Sequence, residues 1–259
     1  MIGKLLRDFF GIMRVAGPVR AVQWLGAIAI TLPTALRRRD LLAADAVMGN
    51  GPFTVRHDRA TAKLVGRQAF SGLREIWVRR VYSRGDFFKI PDGGVVVDLG
   101  ANMGNFSALA LATNPTARVV AVEPGAHTVA KFRETMRVNG FEDRATLCRA
   151  FIGLFSRQQE SDVATDPNYA DVERLTETEF LARHGIDHID FLKCDIEGSE
   201  YFLVDPASRL LDISDRVGIE LHAFGGDVKG FLANLEARGF RLETVIWDGP
   251  DCIALAVRG

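Results

Sequence analysis

The segment Val95 to Ser107 reads VVVDLGANMGNFS: three β-branched apolar residues, the carboxylate of Asp98, then a turn in which Gly100 and Gly104 bracket Ala-Asn-Met. A short continuous apolar run ending in turn residues reads as a buried strand. Glycine at positions 100 and 104 removes Cβ, permits positive φ, and lets backbone N–H groups approach a ligand at the start of the following helix.

Strand and helix patterns alternate outward from this turn, after a change of character at Gly85 to Gly94 (GDFFKIPDGG). Phe106 to Ala112 reads as a short helix stopped at Asn114-Pro115, because the residue before proline is pushed out of the helical region. Arg118 to Glu123 reads as a second strand and Thr128 to Asn139 as a helix ended by Gly140. Thr146 to Ile152 reads as a third strand, and Ser156 to Asp171 as a polar irregular stretch. Thr176 and Glu179 form a capping-box pattern opening a helix that ends before Gly185. Ile189 to Cys194 and Val217 to Leu221 read as the fourth and fifth strands, and Asp227 to Arg238 as a helix closed by Gly239. Arg241 to Trp247 and Cys252 to Val257 are joined by Asp248-Gly249-Pro250-Asp251, a turn short enough for an antiparallel hairpin. Apolar strands alternating with amphipathic helices predict a parallel sheet covered on both faces, with ligands at the carboxyl ends of its strands.

The 259 residues are 47% hydrophobic and 25% charged, enough to bury a sizeable core, so wholesale disorder is excluded. A formal net charge of −1 gives no global field for nucleic acid, and no nucleic-acid partner is expected. Cys148, Cys194 and Cys252 are odd in number and lack ligand spacing, which reads as buried reduced thiols in a cytoplasmic protein.

Two ligand classes compete for the glycine turn. A dinucleotide fingerprint is GxGxxG; here the pattern is DxGxNxG, with Asn102 in place of the middle glycine. Asp98 would face a diphosphate unfavourably and a cationic sulfonium favourably. Glu123, at the end of the second strand, stands where an acid accepts hydrogen bonds from ribose hydroxyls. Together these residues point to S-adenosylmethionine.

VVVDLGANMGNFS, VVAVEP, DFLKCDIEGSE (Asp190 to Glu200) and GIELH (ending at His222) together resemble the FkbM-type family of class I S-adenosylmethionine-dependent methyltransferases. KCDIEGSE follows that family's Lys-x-Asp-x-Glu-Gly-x-Glu pattern. The resemblance covers about Phe87 to the C-terminus. It implies a Rossmann-like α/β fold with a seven-strand, mostly parallel sheet whose last strand is antiparallel, and methylation of a hydroxyl oxygen on a small molecule or glycan. The expected division is an N-terminal helical extension, 1–86, and a methyltransferase domain, 87–259. The expected cofactor-binding residues are Asp98, Gly100, Ala101, Asn102, Gly104, Asn105, Glu123, Pro124, Ala150 and Asp195.

An alcohol nucleophile must lose its proton as the new bond forms. His222 is the expected general base, since an unperturbed imidazole titrates near neutrality. Asp195 is expected to share that role or to orient the methionine ammonium. Glu197 and Glu200 can equally serve as negative charge at a helix N-terminus, Asp98 as a helix cap, and His222 as a satisfied polar residue at a strand end. Asp195, Glu197, Glu220 and His222 also have the ligand chemistry of a Mg or Mn site, but no metal ligand is assigned. A binding protein without transfer activity is the alternative from another class. His57, His127, His184 and His188 read as surface residues, and Phe87 and Phe88 as core or lid packing.

Ahead of the domain, Ala21 to Leu36 (AVQWLGAIAITLPTAL) is apolar between Arg20 and Arg37-Arg38-Arg39. It is shorter than the roughly 20 apolar residues of a span, contains Gln23, and is expected to break at Pro33. It lacks a signal-peptide cleavage pattern. The expectations are a helical extension packed on the domain or on a second subunit of a homodimer, and peripheral membrane contact through 21–36.

Overall fold

The structure is a computed structural model and describes residues 2–38, 40–67, 69–153 and 157–259; Arg39 and Ser156 of the segments above lie outside the described residues. The chain opens with α1 (Ile2–Ala16), α2 (Pro18–Arg38) and α3 (Leu42–Val47). A hairpin of β1 (Phe53–His57) and β2 (Ala60–Leu64) follows, then α4 (Ala69–Gly72) and a π-helical segment, Leu73–Arg79. The sheet then begins: β3 (Val95–Leu99), α5 (Asn105–Thr113), β4 (Arg118–Val122), α6 (Ala126–Asn139), β5 (Ala145–Cys148), β6 (Ala150–Ile152), α7 (Arg157–Thr165), β7 (Glu173–Leu175) and α8 (Glu177–His184). It closes with β8 (Phe191–Cys194), β9 (Arg216–Leu221), α9 (Val228–Ala237), β10 (Phe240–Asp248) and β11 (Asp251–Arg258).

Seven strands form one sheet in the order β10-β11-β9-β8-β3-β4-β5. β11, the last strand, runs antiparallel to both β9 and β10, and the other pairings are parallel. The expected fold is therefore the observed one. β3 and β8 are buried apart from half-buried Val95, as strands covered on both faces must be. The order reverses at β3, whose successor β4 lies on one side and β8 on the other, and this switch point opens a crevice at the strands' carboxyl ends.

Local signals held where side-chain chemistry dictates them. Thr176 and Glu179 make a reciprocal capping box, and Gly140 ends α6 in the left-handed conformation. The three cysteines are free and buried. Phe87 and Phe88 stack edge-to-face on Phe191, and Phe88 also on Phe106, so they are core packing.

Three expectations fail. The third strand is two: after Cys148 the chain leaves the main sheet, and β6 pairs with β7 instead. At the break, Arg149 donates to the carbonyl oxygens of Pro124, Asn168 and Ala170, tying the departing chain to the segment after α7. The stretch expected to be irregular contains α7 and a 3-10 turn, Pro167–Tyr169, capped by the Asp166 carboxylate. And α2 runs through Pro33, because its buried face, Ala21, Trp24, Ala27 and Ala35, is held on both sides of the proline.

The residues before Phe87 are mainly helical but include the β1–β2 hairpin. Their apolar side chains, among them Trp24, Phe70, Trp77 and Tyr82, share one core with Val96, Phe106 and Phe191 of the sheet. Beneath them Arg74 donates to both Asp8 (2.9 Å) and Asp45, Arg79 donates to Asp8 (2.6 Å), and the Trp24 indole donates to Asp45 (2.9 Å). Asp8, Asp45 and Arg74 are buried and paired, which is the condition for leaving them in a core, and Arg79 is half-buried at its edge.

Candidate active site

The turn after β3 is shaped by two hydrogen bonds that reach the neighbouring strand: Gly100 N and Ala101 N both donate to Val122 O at 3.0 Å. Gly100 has φ +75°, and a Cβ there would stand 1.7 Å from the carbonyl oxygen of Asp195. No other residue type fits between β3 and β8 at this level. Gly104 (φ +82°) opens α5 against Phe132 and Met136. Asn102, between them, is held at φ +50° although it is not glycine, a local strain of a kind that clusters at ligand sites.

Glu123 follows β4. Its carboxylate accepts from the backbone N–H of Asn102 (2.9 Å) and of Gly125 (2.9 Å) and from the Thr128 hydroxyl, so one side chain ties the turn after β3 to the start of α6. Burial raises its pKa even against those donors. Between the two turns lies a cavity of about 490 Å³, lined by the sequence-expected Gly100, Asn102, Glu123, Pro124, Ala150 and Asp195, and also by Met103, Ile196 and Glu197. Ala101, Gly104 and Asn105 shape the turn behind that lining without entering it.

Asp98 is placed differently from expectation. It is wholly buried beneath the turn, accepts from Ser107 Oγ at 2.6 Å, and faces Lys193 Nζ at 3.4 Å. Its register partner on β8 is Lys193 itself. It is not among the residues that line the cavity; a carboxylate this deep requires an opposite charge from its own fold. Lys193 also stands 3.5 Å from Asp195 and donates to Gly100 O at 2.7 Å. Burial lowers its pKa, but Asp195 and Asp98 together outweigh this and leave the ammonium charge secure; Asp98 itself is raised by burial in spite of Lys193. Both directions hold because the one cation serves two carboxylates.

The second cluster lies at the ends of β8 and β9. His222 Nδ1 is 2.9 Å from Glu200 Oε1, and His222 Nε2 is 3.7 Å from Glu197 and 4.0 Å from Glu220. Glu200 has no exposed surface, and its Oε1 also accepts from the backbone N–H of Ile196 and Gly198, closing the tight turn that carries Glu197 at φ +54°. Ligand atoms of Asp195, Glu200 and His222 lie within 4.8 Å of one another, a spacing that can take a divalent cation. Burial lowers the His222 pKa, but the hydrogen bond and charge of Glu200, with Asp195 and Glu197, carry it up to about 9. Glu220 is raised to about 8 by burial and by the charges of Asp195 and Glu75. The imidazole is thus protonated at neutral pH, contrary to the near-neutral titration expected from sequence. Asp195 joins the two clusters, lining the cavity on one side and facing His222 on the other.

Sequence reasoning missed several lining residues. His127, read as surface, is exposed at the cavity wall, where its backbone N–H donates to Asn168 Oδ1. Asn168 and Tyr169, in the stretch read as irregular, and Phe151 complete that side. The Asp166-Pro167 turn opening was their available signal. Two residues ahead of the domain also reach the second cluster: Tyr82 donates to Glu220 Oε2 (3.1 Å), and half-buried Glu75 is raised by burial and by the charge of Asp195. His57, also read as surface, is half-buried instead.

A doubly wound sheet of this order, with a glycine turn after its first strand and an acid after its second, is a Rossmann-like α/β fold with a nucleoside-type crevice. The Methyltransferase FkbM domain matches residues 98–242, more than half of the sequence, and the chain belongs to the FkbM methyltransferase family. Among named proteins it is 32% identical over 151 residues to the AMB antimetabolite synthetase AmbE of Pseudomonas aeruginosa, covering 58% of this chain but only 7% of that far longer protein. It is 26% identical over 215 residues to Methyltransferase 1 of Beauveria bassiana, covering 69% of this chain and 84% of the relative. Among solved structures, precorrin-6y C5,15-methyltransferase from Geobacter metallireducens superposes with a TM-score of 0.46 at 16% identity, over 67% of this chain and 84% of that one.

Proposed function

We propose that this methyltransferase uses S-adenosylmethionine and transfers its methyl group to a hydroxyl oxygen of a small molecule or glycan. The observation that carries the reading is the cavity itself, which has buried Glu123 on one wall, the Cβ-free turn at Gly100, and Asp195 where it meets the His222 cluster. These residues fit the cofactor: Glu123, with three donors on its carboxylate, keeps about one acceptor site for a ribose hydroxyl, and Asp195 and Glu197 supply negative charge for a sulfonium and an ammonium. When bound, S-adenosylmethionine supplies an electrophilic methyl carbon. The chain's contribution is alignment, which can provide much of the acceleration of an in-line displacement, and disposal of the acceptor's proton. His222, steadied at Nδ1 by Glu200, presents Nε2 among Glu197 and Glu220, and its neutral form is the proton acceptor.

The spacing of Asp195, Glu200 and His222 favours a second reading, in which a divalent cation activates the hydroxyl by coordination. Calorimetry with S-adenosylhomocysteine and with NAD tests the cofactor, and transfer of a labelled methyl group from S-adenosylmethionine into host metabolite extracts tests the reaction. Binding of NAD in preference to S-adenosylhomocysteine would overturn the proposal. Chelation that abolishes transfer, with recovery on adding Mg or Mn, would select the second reading.

A further inference from the structure

The outer surface of the N-terminal helices is not that of a solvated domain. From Trp24 to Leu36, α2 carries no charged residue. Its exposed large side chains are Val19 (67%), Val22 (62%), Leu25 (38%), Ile30 (75%), Leu32 (47%) and Leu36 (58%). At the helical advance of ~100° per residue, these positions fall in one continuous arc of roughly 160°, opposite the arc of Ala21, Trp24, Ala27 and Ala35. α1 packs against α2 and adds exposed Leu6 and Phe10. A monomer rarely leaves so continuous an apolar face uncovered.

The exposed charges carried by α1 and α2 themselves are cations, of which Lys4 pairs with Asp248 (3.8 Å) and Arg7 with Asp8 (3.3 Å). Residues 2–38 contain Lys4, Arg7, Arg14, Arg20, Arg37 and Arg38. Asp8, the acid in this span, is buried and bound to Arg74 and Arg79. α2 is 21 residues, long and apolar enough to cross a bilayer, yet its inner face is built into the domain: Trp24 donates to Asp45 at 2.9 Å and lies under the Arg74 guanidinium at 5.2 Å. A crossing orientation would strip the cover from the buried Asp45–Arg74 pair, at a cost that lying flat avoids. We propose that α1 and α2 seat the enzyme on the surface of an anionic bilayer, with the apolar arc of α2 at the acyl boundary and the arginines among the headgroups. Charge complementarity selects this occupant over a second copy of the chain, whose matching face would bring the same cations together.

The test is flotation of the full chain with vesicles of phosphatidylcholine alone and of phosphatidylcholine with one-quarter phosphatidylglycerol, beside the variants Val22→Glu/Ile30→Glu and Arg37→Ser/Arg38→Ser. All four positions are exposed, so thermal unfolding should be unchanged and report intact folding. The expected result is recovery with anionic vesicles, with the partition coefficient reduced about thirtyfold by loss of the two arginines, binding abolished by the two glutamates, and binding weakened by salt. Equal recovery on both vesicle types would overturn the electrostatic part of the proposal. A chain left wholly in the soluble fraction, eluting as a dimer that Val22→Glu/Ile30→Glu converts to monomer, would overturn it entirely and make the face a self-interface.

Discussion

Replacing Lys193 with methionine tests whether the site's charge balance rests on one buried cation. Lys193 is 4% exposed and stands between Asp98 (3.4 Å) and Asp195 (3.5 Å). Methionine keeps the length and apolar stem but leaves Asp98, with no exposed surface, only the Ser107 hydroxyl among its described side-chain partners. An unpaired buried charge costs about 3 to 5 kcal/mol. The alternative is protonation, which from an ordinary value near 3.9 costs about (7 − 3.9) × 1.36, or about 4 kcal/mol, at pH 7. Both routes give a loss of about 4 kcal/mol, a large share of the ~5 to 15 kcal/mol that holds a domain folded. The second route also fixes the pH dependence. Native Asp98 in the variant keeps a proton that the unfolded chain releases, so stability is highest below the unfolded pKa and falls as pH rises, by about 1.4 kcal/mol per unit until folded Asp98 ionises. Urea unfolding of Lys193→Met between about pH 5 and 8 should show this slope, and adding Asp98→Asn should recover most of the loss. A variant within about 1 kcal/mol of wild type at pH 7, or one unaided by Asp98→Asn, would refute the reasoning.

Three other outcomes follow from the geometry. Glu123→Ala should weaken S-adenosylhomocysteine binding in calorimetry, since each charge-assisted hydrogen bond is worth about 1.5 to 3 kcal/mol; unchanged affinity would remove Glu123 from the ribose. His222→Ala should retain that affinity and lose about 10² to 10⁴ in turnover, while the wild-type rate climbs with pH toward the His222 pKa of about 9, because the base works only after losing its proton; a flat profile between neutrality and pH 9 would exclude the imidazole as base. Burial pushes the Asp8 carboxyl up, but Arg79 and Arg74 hold it below its usual range, so its contribution is present above the unfolded pKa and is lost as pH falls through the folded one. Asp8→Asn should cost about 3 kcal/mol or more near neutrality, and a thermal-unfolding difference that fails to shrink in acid would count against that pairing.

The sequence was most legible where a local rule acts over a few residues. The glycine turn, the Thr176–Glu179 capping box and the terminal hairpin each need only neighbours a few positions away, and all three stand as expected. What sequence could not show was which partner a charge would find across the sheet. Asp98 looks like a ligand carboxylate in VVVDLGANMGNFS; only the β3–β8 register sets Lys193 beside it. The same holds for His222, whose pKa is set by Glu200, twenty-two positions away along the chain but 2.9 Å away in space. Arg149 is a third case: nothing local says that it will bind the carbonyls of Pro124 and Asn168, two residues that line the cavity.

Within the family match at 98–242, Asp98, Lys193 and Asp195 answer one another's charge, and Glu123 accepts from the turn after β3. Residues ahead of the match reach the same groups. Tyr82 donates to Glu220 at 3.1 Å and lies with its ring 5.8 Å from the Lys193 ammonium, and Glu75 shares its field with Asp195. Both residues precede the match and are carried by the segment that also holds the Asp8–Arg74–Asp45 network. The segment before Phe87 therefore bears on both sides of the site: Arg67 lines the Gly100–Glu123 cavity and the Trp77 indole donates to Asn105 O (3.3 Å), while Tyr82 and Glu75 face the His222 side. Tyr82→Phe is the smallest change from that segment: it removes one donor to Glu220 and keeps the ring over Lys193.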